Sequence, residues 1–175
     1  VTRFPSFVAP LTAFFQTLAS AVDEQSSIAE AEPLLMDLAD KLVTTGLAEV
    51  LNAHDPAVDE VIVKGVRYRR LGAASPKRYF SLRGSVTVTR HRFRQVGVRN
   101  GPTIVPLELN TGLVDGLWTP AAAAAAGHLL QDEPSRDAVA TCRALYVMPF
   151  SRCSLDRCAG LLGDRWEQIR SDAED

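Results

Sequence analysis

Lysine and arginine side chains at near-alternate positions are the groups in this chain with chemistry to perform. Lys64, Arg67 and Arg69 form one such set, and Arg90, Arg92 and Arg94 form another. On an extended backbone, residues two apart share a face and stand about 6.8 Å from one another. Like charges at that distance repel, so a row of them needs a negative partner. A phosphate backbone supplies one, and so does an acidic helix of the same protein. Between Val61 and Leu107 the chain carries eleven Lys and Arg and no Asp or Glu. Residues 1–60 have a net charge of −8 and residues 108–175 of −5, so the overall −2 conceals a centre at +11. A one-signed block of this kind is the electrostatic footprint of a polyanion binder, with nucleic acid the first partner to consider.

Other chemistries find little to work with. Cys142, Cys153, Cys158, His91 and His128 offer no CxxC or HxxxH spacing, and the two closest cysteines stand five apart, outside the usual metal-ligand gap. Gly84 and Gly97 are isolated and Gly163-Asp164 fits no phosphate loop. Asp115, Asp132, Asp137, Asp156 and Asp164 are scattered without a catalytic grouping. We therefore expect no catalytic residue, no metal and no cofactor. An odd number of cysteines argues against a disulfide framework and suits a reducing cytoplasm. Pro5 and Pro10 interrupt the only apolar stretch near the start, and no run of about 18 apolar residues exists to span a membrane.

At 175 residues the chain suits one domain or one domain with an appended helical segment, and three zones divide it. Residues 1–60 read as acidic and helical. Leu11, Phe14, Phe15, Leu18 and Val22 recur at helical spacing, with Pro10 suited to the N-terminal turn, and a longer amphipathic stretch has its apolar residues from Ile28 to Leu51, with Pro33 read as the helix start and Glu32 or a neighbour as its cap. This pair suits packing or homo-oligomerisation. Residues 61–107 read as a small basic antiparallel sheet. Its strands are Val61–Leu71, Arg78–Arg83 after a turn at Gly72–Lys77, and Val86–Arg94. Alternation in the last strand puts Val86, Val88, Arg90, Arg92 and Arg94 on one face and Thr87, Thr89, His91 and Phe93 on the other. Rings of Tyr68, Tyr79, Phe80 and Phe93 interleave with the arginines, which suits phosphate pairing beside base stacking.

Residues 108–175 return to helix, as one unit with the sheet. Thr119-Pro120 is a start signal, and the Ala121–Ala126 run calls for a close helix–helix contact. A second helix covers Pro134–Tyr146, Met148-Pro149-Phe150 breaks it, and a third begins at Ser151 or Ser154 and closes at Gly163, with a further helix after it. The segment from Arg136 to Leu162 has helix-turn-helix proportions. In that motif the first residues of the second helix read base edges, which nominates Arg152, Ser154 and Arg157.

The stretch Tyr79-Phe-Ser-Leu-Arg-Gly84-Ser-Val86-Thr-Val88-Thr-Arg90-His-Arg-Phe93-Arg94, with Pro106-Leu107-Glu108 and Leu113 after it, resembles the N-terminal region of ISKra4-type transposases and related transposase-like bacterial proteins. The resemblance spans roughly residues 78–165. It implies a DNA-binding region with helix-turn-helix character that precedes a DDE-type catalytic domain. Many members carry a Cys-x-x-Cys-like element where this chain has Gln95–Gly101, so a zinc-supported loop is not implied here. The sequence ends where the catalytic domain would begin, and strand-transfer chemistry is not carried over.

The expectation is thus an α+β protein: acidic N-terminal helices, a small basic antiparallel sheet, and a C-terminal helical bundle with a helix-turn-helix-like hairpin. Its expected function is non-catalytic DNA binding by a transposase-like module or remnant, located in the cytoplasm. The competing expectation is a structural or protein-interaction module whose basic sheet pairs with acidic helices of itself or of a partner.

Overall fold

A computed structural model describes residues 5–23, 27–146, 148 and 150–174 of the chain. The mixed helix-and-sheet class is as expected, but the basic zone forms two small antiparallel sheets instead of one. Helix α1 (Pro5–Asp23) lies along α2 (Ile28–Ala53). Neither proline starts its helix, since Pro10 and Pro33 both sit inside. For α2 the start is set by Ser27: the Glu30 carboxylate accepts from the Ser27 backbone N at 3.2 Å and from Ser27 Oγ at 2.7 Å. The first of these is the glutamate half of a Ser-x-x-Glu capping box. The two bonds hold the Glu30 carboxyl below its ordinary range.

The expected strand 61–71 is a hairpin, β1 (Glu60–Val63) and β2 (Val66–Arg70), turning at Lys64-Gly65. Both turn residues have positive φ, 49° and 77°, the conformation of a two-residue turn matched to strand twist. Glycine accepts it freely, whereas Lys64 is the residue that hid the turn from a reading by composition. Strand β3 (Ser75–Ser81) pairs with β4 (Gly84–Arg90), and β5 (Phe93–Gln95) leaves that ribbon to pair with β2 and with β6 (Thr103–Ile104). The four-stranded order is β1-β2-β5-β6.

This change of sheet breaks the expected strand 86–94 in two. Asp55, just beyond the end of α2, accepts from the His91 backbone N at 3.1 Å and pairs with His91 Nδ1 at 2.6 Å. The backbone turns at that clamp, and the alternation inverts across it. Val86 and Val88 are buried with Arg90 beside them, but on the far side of the bend it is Phe93 that is buried and Arg94 that is exposed. Arg90, Arg92 and Arg94 therefore do not form one row.

Two cores hold these parts together. One joins Leu51 of α2 to Tyr79, Val86, Val88 and to Leu107 of the short α3 (Pro106–Asn110). The other lies under α4 (Pro120–Asp132), α5 (Ser135–Tyr146) and α6 (Arg152–Glu174). Thr119 caps α4 by accepting from Ala122 N, and Ala122, Ala123 and Ala126 are fully buried. Small side chains are required there because α6 comes close: a Cβ on Gly127 would stand 3.0 Å from Leu162 Cδ1. Trp118 stacks on Phe150 at 3.8 Å between ring centres, with Phe80 on its other flank at 4.7 Å. Gly163 does not end the last helix, as α6 runs through it. An interior glycine costs about 1 kcal/mol relative to alanine, which packing of Leu155, Cys158 and Leu162 outweighs.

The cysteines divide by position. Cys142 and Cys158 are buried, and burial pushes both thiols up from their ordinary range. Cys153 is exposed at the start of α6. A thiol reagent such as iodoacetamide should label one cysteine per native chain, at Cys153, and all three after denaturation. Mass spectrometry of tryptic peptides reads both numbers, and prompt native labelling of Cys142 or Cys158 would contradict this packing.

Candidate nucleic-acid interface

Cross-strand partners in a sheet share a face, so the register decides where each cation points. Glu60 pairs with Arg69, Arg69 with Arg94, and Arg94 with Thr103, while Ile62 pairs with Arg67. All of these except the half-exposed Glu60 are exposed. They form the outer face of the four-stranded sheet. Leu71 N donates to Arg92 O at 2.7 Å, which extends the β2–β5 pairing by one position. By alternation Arg92 lies on the same side as Arg94, and it too is exposed. The opposite face presents Val61, Val63, Tyr68 and Phe93 to the protein interior.

Arg67, Arg69, Arg92 and Arg94 thus make one basic surface, with Lys64 at the hairpin tip beside it. Glu60 answers part of it, at 2.8 Å from Arg69 and 3.7 Å from Arg67. Among the described residues it is the one acid on this face, and a reading bounded at residue 61 leaves it out. Among the described residues Lys64, Arg78, Arg92, Arg94 and Arg99 have no carboxylate within ion-pair distance. Arg69 and Arg94 stand directly opposite each other, an arrangement that costs stability when nothing negative lies between them. All four arginines are in water, where exposed ion pairs contribute little to folding.

Four other cations of the block, Arg70, Lys77, Arg83 and Arg90, turn inward. Arg90, only 12% exposed, lies 3.2 Å from Glu108, which also accepts from Lys77 Nζ at 3.1 Å and from Tyr79 OH at 2.7 Å. Arg90 Nε and Nη1 make no hydrogen bond within the described residues. This arginine is a structural counter-charge and, contrary to the expectation for the row Arg90, Arg92 and Arg94, is not free to contact phosphate. The carboxylate that answers it comes from α3, a short helix that the charge pattern alone did not connect to the strands. Gly116 makes room for it, since a Cβ there would stand 2.9 Å from Glu108 Oε2. Arg83 pairs with Asp40 of α2 at 3.5 Å, and Arg70 donates to Val58 O.

Burial and the Glu108 bond push the Tyr79 hydroxyl well above the ordinary tyrosine range. A group whose folded pKa is raised contributes stability that is complete below its unfolded pKa, near 10, and is lost as pH climbs past it. Wild-type melting temperature should therefore fall more steeply above pH ~10 than that of Tyr79→Phe. Parallel alkaline melting curves for the two proteins would contradict the Tyr79–Glu108 bond.

None of the interleaved rings stays with the exposed arginines. Tyr79 and Phe93 are fully buried, Phe80 packs on Trp118, and Tyr68 faces inward from β2. The residues nominated on the third helix also have internal partners. Arg152 Nε donates to Ser135 Oγ at 3.2 Å, Ser154 shares a hydrogen bond with Ser151 at the start of α6, and Arg157 lies 2.7 Å from Asp115. Among the described residues no three His, Cys, Asp or Glu converge as metal ligands, and no helix is long and apolar enough to cross a membrane. Compared with models of known protein families, with curated proteins and with solved structures, the chain matches none of them.

Proposed function

We propose that this chain is a non-catalytic DNA-binding module that grips the duplex backbone with the outer face of its four-stranded sheet. The observation that carries this reading is the exposed set Arg67, Arg69, Arg92 and Arg94, two of which lack any carboxylate partner among the described residues. Phosphates between Arg69 and Arg94 turn their mutual repulsion into attraction. Lys64 and Arg99, on the two hairpin loops of the same sheet, extend the contact. A face rich in arginine but without rings suits the regular phosphates of a duplex better than unpaired bases, which bind by stacking on aromatic side chains. The transposase-like resemblance points the same way, toward the DNA-binding part of such an enzyme without its chemistry. Base contacts from Arg152, Ser154 and Arg157 belong to this proposal only if Arg157 exchanges Asp115 for DNA.

Competition between a random duplex and a single strand of equal length tests the choice of substrate. The duplex should displace the single strand at equal nucleotide concentration. Preferential retention of the single strand would overturn the duplex reading.

A second reading, an interaction module, has its own supporting observation. Part of the charge block is answered internally, by Asp40 on Arg83 and Glu108 on Lys77 and Arg90. Beside these pairs a cleft of about 680 Å³, lined by Val43, Leu47, Leu82, Leu113 and Pro120, opens between α2 and the start of α4. Under this reading the outer arginines bind an acidic protein surface and DNA binding is absent.

A further inference from the structure

We propose that α1 is an interface between two copies of this chain. From Pro5 to Val22 the helix contains no charged residue, yet it packs chiefly on α2 alone. One stripe, with Phe7, Phe14 and Ala21, is half-buried, and Phe7 rests against Gly46 of α2. The neighbouring stripe is Val8, Leu11, Phe15, Leu18 and Val22, and all five are exposed, Phe15 at 59% and Val22 at 68%. Helices apolar on more than one side are ordinarily covered on more than one side.

The spacing of the exposed stripe is three, four, three, four, that of a coiled-coil seam. Val8 and Leu11 on one side of Phe15 are matched by Leu18 and Val22 on the other, so the stripe is nearly its own complement under a two-fold axis through Phe15. At 1.5 Å per residue the 19-residue helix is about 28 Å long. One side of such a helix offers roughly 500 Å² per copy, hence about 1,000 Å² for a pair. That reaches the lower bound of a specific interface. A charged hetero-partner would find nothing to pair with between Pro5 and Val22. A helix lying on lipid carries Lys or Arg on its polar side, and α1 has neither between Pro5 and Asp23. Val43 and Val50 of α2 are also exposed but line the cleft with Leu82 and Leu113, so they belong to a different surface.

Sedimentation velocity on the full chain from about 1 to 100 µM should show the mass rising from the 19.0 kDa monomer to twice that value. Phe15→Glu with Val22→Glu should remain monomeric at the highest concentration, with an unchanged melting temperature in dilute solution because neither side chain is buried there. Phe15→Cys in a Cys153→Ser background should oxidise to a disulfide-linked dimer, since residue 15 lies at the middle of the stripe. A wild type that stays monomeric throughout, a double variant that still dimerises, or a monomer that floats with phosphatidylcholine vesicles would each overturn the proposal. DNA binding is measured separately on the outer sheet face, so failure of either idea leaves the other to be judged on its own result.

Discussion

Replacing Arg67, Arg69, Arg92 and Arg94 together by alanine is expected to remove most of the affinity for duplex DNA and to flatten its salt dependence. Each phosphate neutralised adds about −0.9 to the slope of log affinity against log salt. With Lys64 and Arg99 the proposed face offers about six contacts and a slope near −5, and the variant keeps about two and a slope near −2. Over a fourfold rise in salt, the wild type should lose roughly a thousandfold in affinity and the variant roughly tenfold. The substitutions fall on exposed side chains outside both cores, so melting temperature should change little or rise, as the opposed Arg69–Arg94 pair is relieved. Titration of a labelled duplex with both proteins reads the effect. A variant that binds with the wild-type slope would place the contact elsewhere on the molecule.

Glu108→Ala is expected to be the most destabilising single exchange of a charged residue. Its carboxylate answers Lys77, Arg90 and the Tyr79 hydroxyl at once, and Arg90 Nε and Nη1 already lack hydrogen bonds within the described residues. Removing one partner of a buried charge group costs about 3–5 kcal/mol. Lys77 retains some contact with water, so a value near the lower end, about 3 kcal/mol, is expected. For a chain of this size that lowers the melting temperature by roughly 6–12 °C. Glu108→Gln retains an acceptor for Tyr79 and should lose less. Denaturant unfolding that places Glu108→Ala within about 0.5 kcal/mol of wild type would show the cluster to be solvated rather than structural.

The parts of this molecule that were legible in the sequence are those governed by neighbours along the chain. Thr119-Pro120 starts α4 because a cap and a fixed φ act locally. The alanines of α4 announced a close helix contact because only small side chains permit one. Ser27-x-x-Glu30 was equally readable, but Pro33 drew the helix start away from it. What could not be read depends on contacts distant in sequence. Asp55 holds His91 from 36 residues away, and the bend it makes reverses which side of the strand faces water. That one contact sends Arg90 into the protein and leaves Arg94 outside. Glu108 likewise reaches back 31 residues to Lys77, so a charge block drawn as an uninterrupted +11 proves partly neutral. The surviving site draws its arginines from β2 and from β5 with the residue just before it, segments that are remote in sequence and adjacent in the sheet.

Salt dependence of wild-type binding to a short random duplex, followed by fluorescence anisotropy from about 50 to 200 mM KCl, shows whether the outer sheet face grips phosphates. Measurable affinity at the low end and a linear log–log plot with a slope near −5 are expected. No binding at the lowest salt would contradict that grip, and the outer arginines would then be sought as one half of a contact with an acidic protein.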